Sequence, residues 1–391
     1  MIPYGRQDID DKDIEAVISA LKSDWLTQGP CVPKFESAVA DYCGVNHAVA
    51  VNSATSALHL ACLALDVGQD DIVWTSPNSF VASANCAVYC GASVDFVDIS
   101  LENGNMCVEA LEEKLVYARA NNTLPKVVIP VHFAGQSCDM RTIHRLAKEY
   151  GFKVIEDASH AIGGAFENMP VGRCEYADIC VFSFHPVKII TTMEGGMALT
   201  PHEKLARKMM QLRSHGITSD SSQMLNTPDG PWYYEQTDLG FNYRMNDVEA
   251  ALGTSQLSKL DHFVSARNSL ALMYNKQLAK NALISPLAIA PDVYSSYHLY
   301  VVRIDGINQP QHKYMVESLR SDGIFAHVHY IPIHLQPYYR SRLPQDYCLP
   351  NAQRYYQEAI TLPLYPKLTP SEIEFVTDNL TTLVDKIASE L

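Results

Sequence analysis

Two stretches, 153-KVIEDASHAIGG-164 and 178-DICVFSFHPVKIITTMEGGMA-198, decide the fold. Each opens on a short apolar run of strand character, KVIEDA and DICVFSF, and then breaks into polar residues, glycine or proline. The same pattern recurs upstream in 127-VVIPVHF-133, 94-VDFVDI-99 and 72-IVWTSP-77. Helix-like segments lie between these runs. One is 54-ATSALHLACLAL-65; another is 139-DMRTIHRLAKEYG-151, with Asp139 as N-cap and Gly151 as stop. Strand and helix in alternation from about residue 46 to 200 predict an α/β fold with a large, mostly parallel sheet and helices on both faces.

The pattern changes further along. Residues 218–238 are polar and broken by Pro228, Gly230 and Pro231, which predicts a long loop. Beyond it come a helix-like stretch over 248–280, the run 299-LYVVRI-304, a helix-like 310–322, the run 324-IFAHVHYI-331 and a last helix near 370–390. These predict a smaller α+β C-terminal domain over 256–391, after a large domain over 1–255 that includes an N-terminal arm.

The 391 residues carry a net charge of -14, with 19% charged and 47% hydrophobic residues, ordinary for a soluble enzyme. Lys and Arg form no cluster, so the footprint of a nucleic-acid binder is lacking. No signal pattern opens the chain and no apolar run is long enough to cross a bilayer, so a cytoplasmic location without membrane contact is expected. The ten cysteines show no Cys-x-x-Cys pair and predict neither a disulfide framework nor a zinc site. Gly-x-Gly-x-x-Gly and P-loop patterns are missing, which argues against nicotinamide and ATP enzymes.

In open α/β sheets the ligand lies beyond the carboxyl ends of the strands. Four features sit there. Lys188 follows a strand by a few residues, behind Pro186; lysine is the residue of Schiff-base chemistry when burial or a neighbouring cation lowers its pKa. Asp157 ends a strand that should be buried and needs a partner, which a pyridinium nitrogen would supply, with His160 three residues on. In 51-VNSATSALHLA-61, small polar residues open a helix directly after a strand, a seat for phosphate. Phe80 in 76-SPNSFVASAN-85 could stack on a planar ring. Taken singly, each feature has an ordinary explanation: a surface lysine, a helix cap, a core histidine, a core aromatic. Together they suit one ligand, a planar phosphorylated aromatic aldehyde.

Asp157-x-x-His160, Ser183-Phe184-x4-Lys188 and Glu194-Gly195-Gly196 resemble the fold-type I pyridoxal-phosphate (PLP) enzymes of the DegT/StrS sugar-aminotransferase family. So do 23-SDWLTQGPCVPKFESAVADYCG-44, 240-GFNYRMNDVEAALG-253 and 327-HVHYIPIHLQPYY-339, and the resemblance runs over essentially the whole chain. His185-Pro186-Val187-Lys188 and the opening Ile2-Pro3-Tyr4 look like the branch that serves pseudaminic-acid synthesis. The resemblance implies that Lys188 holds PLP covalently and that Asp157 pairs with the pyridine nitrogen. It places His160 near the ring hydroxyl, Ser183, Ala54 and Thr55 on the phosphate, and Phe80 on the ring face. Asn242 would reach the cofactor of a neighbouring subunit, which implies a homodimer with shared sites. Trp25, Thr27, His329 and Tyr330 would touch the substrate.

The implied reaction moves an amino group from glutamate to carbon 4 of a UDP-linked 4-keto-6-deoxy-N-acetylhexosamine, with Lys188 as general base. Four other readings compete. Another nucleotide keto-sugar could be the acceptor. PLP-dependent sugar dehydratases of the same family carry His where this chain has Lys188. A zinc enzyme could be built on His327, His329 and His334, but no His-Glu-x-x-His motif accompanies them, so no metal is expected. A ligand sensor on a dead scaffold would have no need to retain Lys188, Asp157 and Ser183.

Overall fold

The computed structural model describes residues 1–389; Glu390 and Leu391, the end of the expected second domain and last helix, lie outside the described residues. Seven strands form the large sheet: β1 (His47–Val51), β2 (Ile72–Thr75), β3 (Ser93–Phe96), β4 (Val127–Ile129), β5 (Lys153–Asp157), β6 (Ile179–Ser183) and β7 (Gly196–Thr200). Their spatial order is β1-β7-β6-β5-β4-β2-β3. The ladders from β3 through β6 are parallel. β7 runs antiparallel to both β6 and β1, so it is the one reversed strand in the sheet.

Side chains alternate across the sheet with the period of two that a pleated strand imposes. Val127, Ile129, Ile155, Ile179, Val181 and Ala198 enter one core with helix α1 (Ala54–Ala64). Their neighbours Cys180, Phe182, Met197 and Leu199 face a second core, and Val128 and Val154 a third. Asp157 and Ser183 share the parity of Ile155 and Val181, so they emerge at the carboxyl ends of β5 and β6 on the face that carries α1. This alternation puts the chemistry and the helix start on one side.

The start of α1 is built locally. Ser53 adopts an extended conformation (φ -166°) and its hydroxyl accepts the Ser56 N–H, which caps the helix. Gly196 at the start of β7 lies so close that an added Cβ would stand 2.4 Å from the Ala54 nitrogen. Met140–Tyr150 is helical as expected, capped by Asp139 through the Thr142 N–H and ended by Gly151 at φ 82°.

The expected helix over 248–280 is two helices, Asp247–Leu257 and Leu260–Leu278. Side chains at the junction are engaged elsewhere. Ser258 donates to the Ser255 carbonyl, and Lys259 and Gln256 both bind Asp13 of the N-terminal helix Asp11–Leu21. The run 324–331 is also no strand. It makes isolated bridges, Ile2 to Ile324 and His327 to Thr361. The loop over 218–238 is present, its ends joined by two-residue strands at Ile217–Thr218 and Glu235–Gln236. A three-stranded antiparallel sheet (Ile284–Pro286, Tyr300–Ile304, Ala359–Leu362) packs with Pro370–Ser389 and Gln309–Ser321 around its own core, which Ile2 joins. All ten cysteines are free; Cys62 and Cys180 are buried and Cys348 is exposed. No described helix is long and apolar enough to cross a membrane.

Candidate active site

A cavity of about 390 Å³ opens at the carboxyl ends of β5 and β6. Its lining brings together nine of the residues singled out from sequence: Ala54, Thr55, Phe80, Asp157, His160, Ser183, Lys188, His329 and Tyr330. Trp25, Thr27 and Asn242 are outside it. Trp25 is 58% exposed beside a separate groove, Thr27 bridges Asn246, and Asn242 bridges Ser214.

Lys188 sits in a turn held by its own N–H, which donates to the His185 carbonyl, and by Phe184, which exchanges backbone bonds with Gly195 and Thr192. Burial pushes the ammonium down to about 8 from an ordinary 10.5, while the charge of Asp157 pulls it back up. A solvated surface lysine would show no such depression. The residue is half-buried as a whole because part of it faces the cavity, while protein surrounds the amine.

Asp157 is 4% exposed and richly bonded. One carboxylate oxygen accepts the Ser159 N–H at 3.1 Å and its hydroxyl at 2.6 Å; the other accepts the Ser83 hydroxyl at 2.5 Å. A buried carboxylate requires such donors. Part of this network is an ordinary turn around Ser159, as the plain sequence explanation holds, but the carboxylate also faces the cavity.

His160 is buried. Its Nε2 lies 3.1 Å from the Tyr330 hydroxyl and its Nδ1 has no partner. Burial, then the charges of Lys188 and His329, hold it well below the usual histidine range. His329 is pulled down to about 3 by burial, His327 and Lys188, and its Nδ1 lies 2.9 Å from the Thr361 hydroxyl. These imidazoles are therefore neutral at pH 7. His327 and His329 stack with centroids 4.6 Å apart, yet among the described residues no group of three His, Cys, Asp or Glu could hold a metal ion.

Phe80 is 60% exposed although it lines the cavity, so it is no core aromatic. An apolar ring held open beside a carboxylate and an amine offers a face to a planar ligand. In the same lining, the start of α1 offers the amides that a helix leaves unpaired, together with Ser183. The donor set, the unpartnered His160 nitrogen and the cavity volume fit PLP.

Sequence reasoning gave no role to Ser79, Ser83, Ser159 or Tyr4. The serines look like any helix-start residues, and Tyr4 reaches the cavity only because the N-terminal arm crosses to the far end of the chain, where Tyr4 packs on His327 and His329.

The model of the DegT/DnrJ/EryC1/StrS aminotransferase family matches residues 7–381. The chain belongs to this family. Aminotransferases of this family depend on PLP, in keeping with the cavity. The chain is 40% identical to the UDP-4-amino-4,6-dideoxy-N-acetyl-beta-L-altrosamine transaminase of Campylobacter jejuni, over 99% of this chain and 98% of that protein. Its structure is similar to Helicobacter pylori PseC, an aminotransferase involved in the biosynthesis of pseudoaminic acid (TM-score 0.90, 32% identity, 98% and 99% of the two chains). It is also similar to Spr1654 of Streptococcus pneumoniae in its PLP-form (TM-score 0.88, 28% identity, 99% of each chain).

Proposed function

We propose that this aminotransferase moves an amino group from glutamate to carbon 4 of a UDP-linked 4-keto-6-deoxy-N-acetylhexosamine, in a pathway of the pseudaminic-acid type. The strongest support is the gathering of a buried amine, a buried carboxylate, an open aromatic face and a helix start in one cavity. The substrate rests on likeness to the Campylobacter transaminase and to PseC.

In this reading the amides of Ala54 and Thr55 and the hydroxyl of Ser183 hold the phosphate, Phe80 covers the ring, and Asp157 takes the ring nitrogen as a charged hydrogen-bond partner. His160 stands by the ring hydroxyl. Bound there, PLP supplies an aldehyde for amine exchange and a ring that accepts electrons. Lys188 anchors it and, once displaced, its Nζ takes the α-proton of the amino donor and later returns a proton to the acceptor carbon. An amine with a pKa near 8 suits both directions at neutral pH. His329 and Tyr330 contact the sugar, while Trp25, Thr27 and Asn242 act on the site of a neighbouring copy in a homodimer. We place the domain division near residue 255 and the enzyme in the cytoplasm.

The experiment is to supply the purified enzyme with glutamate and a panel of nucleotide 4-keto-sugars, reading the aminated carbon by NMR. Amination at carbon 4 of the UDP-linked sugar is expected. Preference for another nucleotide, or amination at another carbon, would overturn the substrate assignment. Water elimination without amine transfer would favour a dehydratase.

A further inference from the structure

Asp157 is held by a hydroxyl chain that reaches back to the cavity wall. The Ser83 hydroxyl lies 2.5 Å from one Asp157 oxygen and 2.6 Å from the Ser79 hydroxyl. Ser83 is fully buried and Ser79 is 5% exposed, so water does not compete for these protons. An ionised carboxylate only accepts, and a serine has one proton to give. Ser83 therefore donates to Asp157, its 3.3 Å approach to the Phe80 carbonyl is left without a proton, and Ser79 must donate to Ser83. The polarity of the chain is fixed from Ser79 through Ser83 to Asp157.

Two consequences follow. A carboxylate has about four lone-pair sites. Ser159 fills two on one oxygen and Ser83 fills one on the other, which leaves room for a single further donor. Moreover, Phe80 lies in the same turn as Ser79 and Ser83, so the ring wall and the support of the carboxylate share one short piece of backbone. We propose that Ser79 and Ser83 are positioning residues: a one-way hydroxyl relay that orients Asp157 toward the ring nitrogen of PLP and keeps its remaining lone pair for that donor. The proposal rests on Asp157 being the partner of the ring nitrogen.

The test compares apoprotein variants Ser83→Ala, Ser79→Ala and Asp157→Ala in their affinity for PLP and for the analogue in which C–H replaces the ring nitrogen. A hydrogen bond to a charged group is worth roughly tenfold to a hundredfold in an equilibrium constant. Ser83→Ala should weaken PLP binding by that factor while the analogue, which has no nitrogen to orient, is held almost as before. Ser79→Ala, one bond further out, should show the same selectivity at roughly threefold. Because Ser79 is at the cavity wall, its variant keeps the question answerable if Ser83→Ala folds poorly. Equal weakening of both ligands by the serine variants, with Asp157→Ala still discriminating between them, would mean that the serines only support the fold and would overturn the relay. If Asp157→Ala itself fails to discriminate, the assignment of Asp157 is wrong and the relay falls with it.

Discussion

The reactivity of Lys188 can be predicted from its surroundings. Burial lowers its pKa from 10.5 to about 8. At pH 7 an amine at 10.5 is uncharged in about 0.03% of molecules, and one at 8 in about 10%, an enrichment of about 300-fold. The sign matters: a lowered pKa means that reactivity climbs with pH until about 8 and then levels, whereas an ordinary lysine keeps gaining for more than two further units. The assay is a brief exposure of apoprotein to limiting PLP at a series of pH values, borohydride reduction, and peptide mapping of the labelled lysine. Labelling of Lys188 should dominate at pH 7 and show an inflection near 8. Asp157→Asn removes the negative charge that partly offsets burial, so the inflection should move to lower pH. An inflection close to the ordinary lysine value, or label on any other side chain, would refute the account.

Three further outcomes are expected. Lys188→Arg should lower turnover by about a thousandfold or more, because a guanidinium stays protonated and cannot act as base; steady-state kinetics of the reconstituted variant decide this. Phe80→Ala should weaken PLP binding by roughly tenfold, as judged by fluorescence titration, with little change in the apoprotein melting temperature because the ring is exposed. Gly196→Ala should destabilise by about 1–3 kcal/mol in denaturant unfolding and weaken PLP binding too, since the new Cβ would press on the backbone of Ser53 and Ala54, where the proposed phosphate seat begins.

Much of the site was legible because strand ends leave a local signature. Asp157 and Ser183 each close an apolar run, and Lys188 follows with proline and glycine around it, so their adjacency needed only the rule that parallel strands present their carboxyl ends together. The start of α1 was visible for the same reason: Ser53 caps a helix at once after β1. What stayed hidden depends on contacts between distant parts of the chain. Nothing local distinguishes Ser83 from a helix-start serine; only the Asp157 oxygen 2.5 Å away gives it a role. The helix over 248–280 breaks because Gln256 and Lys259 bind Asp13, more than two hundred residues earlier. The apolar run 324–331 looks like a strand but spends its backbone on single bridges to Ile2 and Thr361 rather than on a ladder, and no local feature announces that.

The charges of the cavity bear on how its substrates are held. Among the described residues, Lys188 is the one Lys or Arg in its lining, set against Asp157 and Glu194. The imidazoles of His160 and His329 add no positive charge at neutral pH, because burial and Lys188 both oppose their protonation. Helix amides can meet one phosphate, but in the proposed reaction the carboxylates of glutamate and a nucleotide diphosphate are further anions, and desolvating them against a wall whose lysine is the proposed cofactor anchor is costly. Those groups must be met by cations from outside this wall. A second copy of the chain, as in the homodimer proposed above, is the economical source; Asn242, neutral and exposed outside its own cavity, would add a hydrogen-bonding amide there.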